Sequence, residues 1–226
     1  MITGVTGAGA VPDRAEFARR WSAAHGGADP EARLVRGYLT LVHALARPLA
    51  AARVAPDAVT VAGLLLALAV LVPAAAGGRW ALAVPVLVAV SAVLDGLDGA
   101  VAVLTGRATR WGAVLDAGCD RLADASYVAA LWLLGAPGWL AVAAVAAGWL
   151  HEYVRARAGA AGMSGVGRIT VGERPTRVAV AASTSLAAGI YPGFAPDWAT
   201  AGAAATLAVG VVGLAQLVPV VRRTLS

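Results

Sequence analysis

Long apolar stretches, separated by short polar ones, fill most of the chain. From residue 58 onward they lie at about 58–77, 80–104, 111–135, 138–158, 177–194 and 198–220. Each is close to the ~20 residues that an α-helix needs to cross a bilayer. Clusters of glycine, proline and arginine divide them, and such clusters are typical of helix ends and turns. The pattern predicts an all-α, polytopic membrane protein with six transmembrane helices.

The chain before the first apolar stretch has a different character. Residues 31–53 mix leucine and valine with four arginines, which favours an N-terminal amphipathic helix lying in the membrane interface; an ordinary cytosolic helix is the alternative. Residues 1–30 are rich in glycine and alanine and do not have the pattern of a cleaved signal peptide. We therefore expect a flexible cytoplasmic segment at 1–30, one membrane domain at 31–220 with its six spans in 58–220, and a cytoplasmic tail at 221–226.

Composition and charge support this topology. The 226 residues are 59% hydrophobic and 14% charged, whereas soluble domains are about 45–50% apolar and about 25% charged. The net charge of +5 could indicate nucleic acid, but 17 of the 18 basic residues, all arginine, fall on one side of the predicted spans, with Arg79 on the other. Because basic residues mark cytoplasmic segments, both termini are predicted to be cytoplasmic and no nucleic-acid partner is expected.

Five aspartates interrupt the second and third apolar stretches: Asp95, Asp98, Asp116, Asp120 and Asp124. Ionised carboxylates at membrane depth are costly, and spacings of three and four residues place each group on one helical face. Counted from the intervening loop, Asp98 and Asp116 are each about nine residues away, and Asp95 and Asp120 each about 12 or 13. In an antiparallel hairpin the two pairs therefore lie at matching depths, roughly 13–19 Å from the loop.

Four carboxylates at matching depth repel each other unless cations neutralise them. Oxygen ligands favour Mg²⁺ or Mn²⁺ and leave coordination positions for phosphate oxygens. We therefore expect a divalent-metal site formed by Asp95, Asp98, Asp116 and Asp120. The alternative is pairing with nearby arginines, which accounts for about two of the five aspartates and applies best to Asp124, three residues after Arg121.

The stretch from Asp95 to Asp120 resembles the signature of the CDP-alcohol phosphotransferase family, D-x2-D-G-x2-A-R-x8-G-x3-D-x3-D. Seven positions fall in register: Asp95, Asp98, Gly99, Ala102, Gly112, Asp116 and Asp120. The signature arginine falls on Val103, and Arg107, one turn later, is the candidate to replace it. The resemblance covers roughly residues 40–220 and is closest in appearance to actinobacterial phosphatidylinositol-phosphate synthases.

The resemblance implies two groups of binding residues. Residues 56–60 are similar to an element that family members place near the nucleotide, so the implied nucleotide-binding residues are Asp57, Thr60, Asp95, Gly99, Ala102, Arg107 and Gly112. Residues 153–157 and 173–177 resemble segments that hold the phosphate of inositol phosphate in the synthases. The implied acceptor-phosphate residues are Arg155, Arg157, Arg174 and Arg177. The alternative for these arginines is a purely topological role.

The resemblance also implies a reaction. An acceptor hydroxyl would attack the lipid-side phosphorus of CDP-diacylglycerol and release CMP, with two Mg²⁺ or Mn²⁺ ions as cofactors and Asp120 as catalytic general base. The expected partners are CDP-diacylglycerol, a small polar alcohol, the lipid bilayer and a second copy of the chain in a homodimer. The expected location is a bacterial cell membrane, with a multi-pass chain and a cytoplasm-facing active site.

Other interpretations remain at this point. Glycerol phosphate or another alcohol is an alternative acceptor, and Val103 leaves open a divergent family member with low activity. Intramembrane prenyltransferases also use paired aspartate motifs, but theirs lie far apart, whereas Asp98 and Asp116 are close in this sequence. A cation transporter would carry acidic groups on several spans, whereas all five aspartates here belong to one hairpin.

Overall fold

The computed structural model describes residues 12–24, 33–163 and 170–226, and these residues are almost entirely helical. The helices in this part of the chain are α1 (Arg14–Ala24), α2 (Arg33–Ala51), α3 (Pro56–Ala69), α4 (Leu71–Ala76), α5 (Ala83–Thr105), α6 (Arg110–Leu133), α7 (Gly138–Ala160), α8 (Arg174–Ile190) and α9 (Ala195–Leu225). Short 3₁₀ turns precede α5 and α9, at Gly78–Leu82 and Pro192–Phe194. The predicted all-α class is confirmed for the described residues.

The helices lie where the apolar stretches predicted them. α3 and α4 together occupy the first stretch, and α5 to α9 occupy the next five. Within the described ranges, three helical stretches are long and apolar enough to cross a membrane: Pro56–Ala76, Gly78–Thr105 and Pro192–Leu225. α6 and α7 carry more charged residues, and α8 has only 17 residues. The long apolar helices indicate a membrane protein, and the number of spans stays a prediction.

The chain divides into two compact units, and the first contains the described residues up to Thr60 together with Val93–Asp116. Here α1 packs on α2, with Phe17 fully buried and its ring 5.3 Å from that of His43. Asp13 Oδ1 accepts a hydrogen bond from the Glu16 backbone N–H at 2.8 Å, which stabilises the start of α1.

α1 is a difference from the sequence-based expectation, because residues 1–30 were predicted to form a flexible segment. The cap at Asp13 and the burial of Phe17 explain why residues 14–24 form a helix instead. Residues 1–11 and 25–32 lie outside the described residues. The helix predicted at 31–53 is found as α2, which has a marked apolar face; its place in the membrane interface stays a prediction.

The hairpin turn between α5 and α6 also belongs to the first unit. Gly106 has φ +65°, a conformation that glycine adopts without steric cost. The Arg107 N–H donates to the Ala102 carbonyl at 3.0 Å, which closes the end of α5. At the start of α6, Thr109 Oγ1 accepts a hydrogen bond from the Gly112 N–H at 2.9 Å and caps the helix. The two caps fix the turn that connects the helices bearing Asp95, Asp98 and Asp116.

The second unit contains Val61–Ala92 and Ala117–Ser226. α9 packs closely against α7 and α8, and its small residues allow this approach. A Cβ on Gly210, for example, would lie 2.9 Å from Ala147 Cβ. A buried polar link joins α5 and α6 within this unit, because the Tyr127 hydroxyl donates to Ser91 Oγ at 2.9 Å and Ser91 donates to the Gly63 carbonyl at 2.8 Å.

Candidate active site

Asp95 and Asp116 lie in the first unit, on the two helices that flank the hairpin turn. Each offers a carboxylate oxygen, and these oxygens lie within 4.8 Å of one another. Both side chains are partly buried, and two carboxylates this close are stabilised by a shared cation. Their hard oxygen ligands suit Mg²⁺ or Mn²⁺, so the pair fits a divalent-metal site. Asp120 follows Asp116 by one turn on α6.

Asp98 is more deeply buried, with 6% of its surface exposed. Its Oδ2 accepts a hydrogen bond from the Thr60 hydroxyl at 2.5 Å, and its Oδ1 accepts one from the Gly99 backbone N–H at 2.5 Å. Hydrogen bonds to a carboxylate offset part of the cost of burying it. The structure therefore holds Asp98 in a fixed orientation through Thr60, a partner that sequence spacing alone did not indicate.

A cavity of about 230 Å³ opens beside these carboxylates within the first unit. Both Asp98 and Asp116 line it. Six of the seven predicted nucleotide-binding residues line it as well, namely Asp57, Thr60, Gly99, Ala102, Arg107 and Gly112. The seventh, Asp95, belongs to the carboxylate pair. The structure thus brings the signature residues of the first unit together around one cavity.

The space around position 112 favours glycine over any larger residue. A Cβ there would lie 3.1 Å from Thr109 Oγ1 and 3.4 Å from Asp57 Oδ1, so a larger residue would press on the helix cap and on the cavity wall. Val103 also lines the cavity, at the position where the family signature has an arginine. Arg107 is exposed and lines the same cavity. A residue that replaces the signature arginine must reach this cavity, and Arg107 does.

In the second unit, the other two aspartates of α6 lie against two of the four predicted acceptor-phosphate arginines. Arg174 lies with Nη1 2.9 Å from Asp120 Oδ1 and with Nε 3.2 Å from Asp124 Oδ1. Arg177, 5% exposed at its side chain, lies with Nη2 2.9 Å from Asp124 Oδ2. Sequence reasoning proposed Arg121 as the partner of Asp124; the structure pairs Asp124 with these two arginines instead, because α8 packs where α6 carries that carboxylate.

Two further residues close these contacts into a ring of alternating charge, here called the ion-pair ring. Glu152 lies 3.2 Å from Arg177 and 3.7 Å from Arg121, and Arg121 lies 3.5 Å from Asp120. Three carboxylates and three guanidiniums thus alternate: Asp120, Arg174, Asp124, Arg177, Glu152 and Arg121. Sequence reasoning missed Glu152; its position one turn before the arginines of α7 was the available signal.

The other two predicted acceptor-phosphate arginines lie near the end of α7. Arg155 donates two hydrogen bonds to Glu173, at 2.8 and 2.5 Å, and Arg157 is exposed. Burial by itself would raise the pKa of Glu173, but the bonds from Arg155 and from the Thr170 N–H and hydroxyl outweigh it and lower that pKa to about 2. Glu173 therefore stays ionised and holds the start of α8 to α7.

The turn that leads into α8 is held by close backbone packing. A Cβ on Gly213 would lie 2.6 Å from Gly172 Cα, so both positions of this contact require glycine. The Val171 N–H donates to Gln216 Oε1 at 2.9 Å, and the buried His151 Nε2 lies 2.9 Å from Thr170 Oγ1. α7 and α9 thereby position the residue that precedes Arg174.

Comparison with curated proteins finds phosphatidylinositol phosphate synthases and archaetidylinositol phosphate synthases. The phosphatidylinositol phosphate synthase of Mycolicibacterium smegmatis is 38% identical over 196 residues, which cover 82% of this chain and 85% of that protein. That of Mycobacteroides abscessus is 37% identical over 139 residues, covering 58% and 59%. The archaetidylinositol phosphate synthase of Aeropyrum pernix is 36% identical over 107 residues, covering 46% and 53%. The chain thus spans between about half and 85% of the lengths of these relatives.

Comparison with solved structures also finds a phosphatidylinositol phosphate synthase. The crystal structure of Mycobacterium tuberculosis phosphatidylinositol phosphate synthase (PgsA1) with CDP-DAG bound matches with a TM-score of 0.65 at 27% identity, over 80% of this chain and 94% of that one. The structure of the same enzyme with manganese and citrate matches with a TM-score of 0.66 at 27% identity, over 80% and 88%. The family model described as CDP-alcohol phosphatidyltransferase matches residues 53–215. On these matches, the chain belongs to the CDP-alcohol phosphatidyltransferase family.

Proposed function

We propose that this protein transfers a phosphatidyl group from CDP-diacylglycerol to a hydroxyl of a small phosphorylated alcohol and releases CMP. One observation carries the proposal: the signature residues line one cavity beside a close pair of carboxylates in the first unit. The relatives named phosphatidylinositol phosphate synthase, and the relative solved with CDP-DAG, support the substrate class. Inositol phosphate is the favoured acceptor, and glycerol phosphate is the second candidate.

The metal proposal rests on the same carboxylates. Asp95, Asp98, Asp116 and Asp120 would hold Mg²⁺ or Mn²⁺, with two ions as the expected number, and the bound cations would neutralise the diphosphate. The spacing of the Asp95 and Asp116 oxygens supports it, as does the relative solved with manganese. The cavity residues named above would bind the nucleotide, and Arg107, which lines the same cavity as Val103, would replace the missing signature arginine.

The reaction places specific demands on the protein side chains. The acceptor hydroxyl gives its proton to a carboxylate oxygen of Asp120, the new O–P bond forms at the lipid-side phosphorus, and the P–O bond to CMP breaks. Arg174 contacts Asp120 at 2.9 Å, so an acceptor whose phosphate binds Arg174 brings its hydroxyl close to this base. Arg155, Arg157 and Arg177 would complete the acceptor-phosphate pocket.

The membrane arrangement is part of the proposal. We place six spans between residues 58 and 220, α2 in the interface, and both termini and the active site on the cytoplasmic side. The one-sided arginine distribution supports this orientation. The membrane domain would extend over 31–220, with 1–30 and 221–226 as cytoplasmic ends, and the enzyme would act as a homodimer in a bacterial cell membrane.

The test is CMP release by the purified protein in lipid nanodiscs with CDP-diacylglycerol and Mg²⁺ or Mn²⁺. We expect release with inositol phosphate and little with unphosphorylated inositol, because the arginines recognise the phosphate. Asp116→Asn should lower the rate by about 100-fold or more, whereas Asp197→Asn, an exposed carboxylate at the start of α9, should leave it unchanged. Full activity in Asp116→Asn would contradict the metal site. Faster CMP release with glycerol phosphate than with inositol phosphate would identify glycerol phosphate as the acceptor instead.

A further inference from the structure

Arg174 has a distinct position in the ion-pair ring. It contacts Asp120, the proposed metal ligand and base, through Nη1, and Asp124 through Nε. Arg177 contacts Asp124 and Glu152, and the Arg121 contact with Asp120 is longer, at 3.5 Å. Arg174 therefore links a proposed metal ligand to a carboxylate that has no assigned role.

A guanidinium this close to a carboxylate changes how the carboxylate binds other cations. An opposite charge within about 4–6 Å alters the proton affinity of a carboxylate by roughly 10-fold to 1,000-fold, and a metal ion meets the same competition. The side chains of Arg174 and Asp120 are only 15% and 18% exposed, so solvent screens their interaction weakly. Arg174 thus weakens Asp120 as a metal ligand for as long as the two are paired.

An acceptor phosphate would relieve this competition. Arginine binds phosphate through two parallel hydrogen bonds, and a dianion on Arg174 neutralises the charge that Asp120 faces. Asp124 keeps a second contact with Arg174, so the arginine can turn from Asp120 toward the phosphate without losing every protein partner. Coupling of this kind is reciprocal, because the metal ion must then strengthen phosphate binding by the same factor.

We propose that Arg174 is an exchangeable counter-ion of Asp120, positioned by Asp124, so that a phosphorylated acceptor and the divalent cation bind cooperatively. This inference rests on the proposed function and deepens it. Arg174 is a positioning residue for Asp120 in addition to a phosphate ligand. Asp124 would hold Arg174 in place while the guanidinium moves between Asp120 and the acceptor phosphate.

The test is Mn²⁺ binding, measured by electron paramagnetic resonance on the full chain in nanodiscs without CDP-diacylglycerol. In the unaltered protein, inositol phosphate should tighten Mn²⁺ binding by about tenfold. Arg174→Gln should bind Mn²⁺ alone about tenfold more tightly than the unaltered protein, with no further gain from inositol phosphate. Arg222→Gln removes the same charge near the chain end and should behave like the unaltered protein.

A second variant should shift binding in the opposite direction. Asp124→Asn removes one of the two carboxylates that share Arg174, leaving the guanidinium on Asp120, and should weaken Mn²⁺ binding severalfold. Because general unfolding would weaken binding in both variants, tighter binding by Arg174→Gln is specific to the proposal. Should Arg174→Gln not fold, Arg174→Lys, which keeps the charge but cannot span both carboxylates, should still remove most of the inositol phosphate effect.

The outcomes separate this inference from the proposed function. Unchanged or weaker Mn²⁺ binding by folded Arg174→Gln would overturn the exchange and leave the proposed reaction intact. Equal Mn²⁺ affinity with and without inositol phosphate in the unaltered protein would do the same. If the unaltered protein bound no Mn²⁺, the proposed metal site itself would fail, and the inference with it.

Discussion

Val103 lines the cavity of the first unit at the position where the family signature has an arginine. Its side chain offers no hydrogen-bond donor to a diphosphate. Arg107, two residues beyond the end of α5, lines the same cavity. It is exposed, and flexible arginines lose side-chain entropy when they bind. Under the proposed function, a nucleotide in this cavity would thus meet a more exposed cation than the signature arginine, and binding would cost more side-chain entropy.

Restoring the signature arginine should strengthen nucleotide binding. We expect Val103→Arg to lower the KM for CDP-diacylglycerol by about tenfold, since a hydrogen bond to a charged group contributes about 1.5–3 kcal/mol. The KM for the acceptor should stay within twofold. Val103→Leu, which changes size without adding a donor, is the matched control and should not lower the KM. An unchanged KM in Val103→Arg would show that this part of the cavity does not contact the diphosphate.

The residues of the site divide into those that sequence could predict and those that it could not. The aspartates and glycines of the hairpin were predictable because helical spacing and the signature register are local properties. The partners of Asp124 were not, because Arg174 and Arg177 lie 50 and 53 residues away in the chain. Helical spacing predicts neighbours on one helix, and it favoured Arg121 for that reason.

At the scale of elements, the turn before α8 depends on its contact with α9. Gly172 and Gly213 approach so closely that any side chain would meet backbone atoms. The same turn presents Glu173 to Arg155 through two hydrogen bonds. The position of Arg174 in the ion-pair ring therefore depends on a glycine in a different helix.

A methyl group at this contact should displace the turn. In Gly213→Ala the new Cβ would lie 2.6 Å from Gly172 Cα, where only backbone movement relieves the overlap. We expect the KM for the phosphorylated acceptor to rise by about tenfold and the unfolding free energy to fall by about 1–3 kcal/mol. Gly118→Ala on α6, where no atom lies within 4 Å of the new Cβ, is the matched control. A normal acceptor KM in Gly213→Ala would contradict this role of the turn.

The elements themselves were predictable to different degrees. The apolar stretches predicted α3 to α9 because membrane helices need a long apolar run. α1 was not predicted, because its 11 residues contain only two large apolar side chains, Phe17 and Trp21, and its stability depends on burying Phe17 against α2. A short helix that relies on tertiary contacts leaves little periodic pattern in the sequence.

At the scale of the whole molecule, the arginine distribution makes a prediction about orientation. Single cysteines can test it, because Cys119 is the only natural cysteine and Cys119→Ala removes it. In intact cells, a membrane-impermeant maleimide should label Arg79→Cys, in the exposed 3₁₀ turn before α5, and should not label Ser226→Cys. Both sites should react after the cells are opened. Labelling of Ser226→Cys alone in intact cells would show that the orientation is opposite to the proposed one.

The first turn of α8 has a consequence for the order of assembly. It carries Arg174 and Arg177 at the helix N-terminus, where the helix dipole disfavours each cation by about 0.3–1 kcal/mol. Their carboxylate partners come from α6 and α7, both of which are synthesised earlier. α8 on its own would therefore begin with unneutralised charge, and we expect its first turn to form only after α6 and α7 are in the bilayer. During synthesis, the candidate acceptor pocket would be among the last parts of the enzyme to take shape.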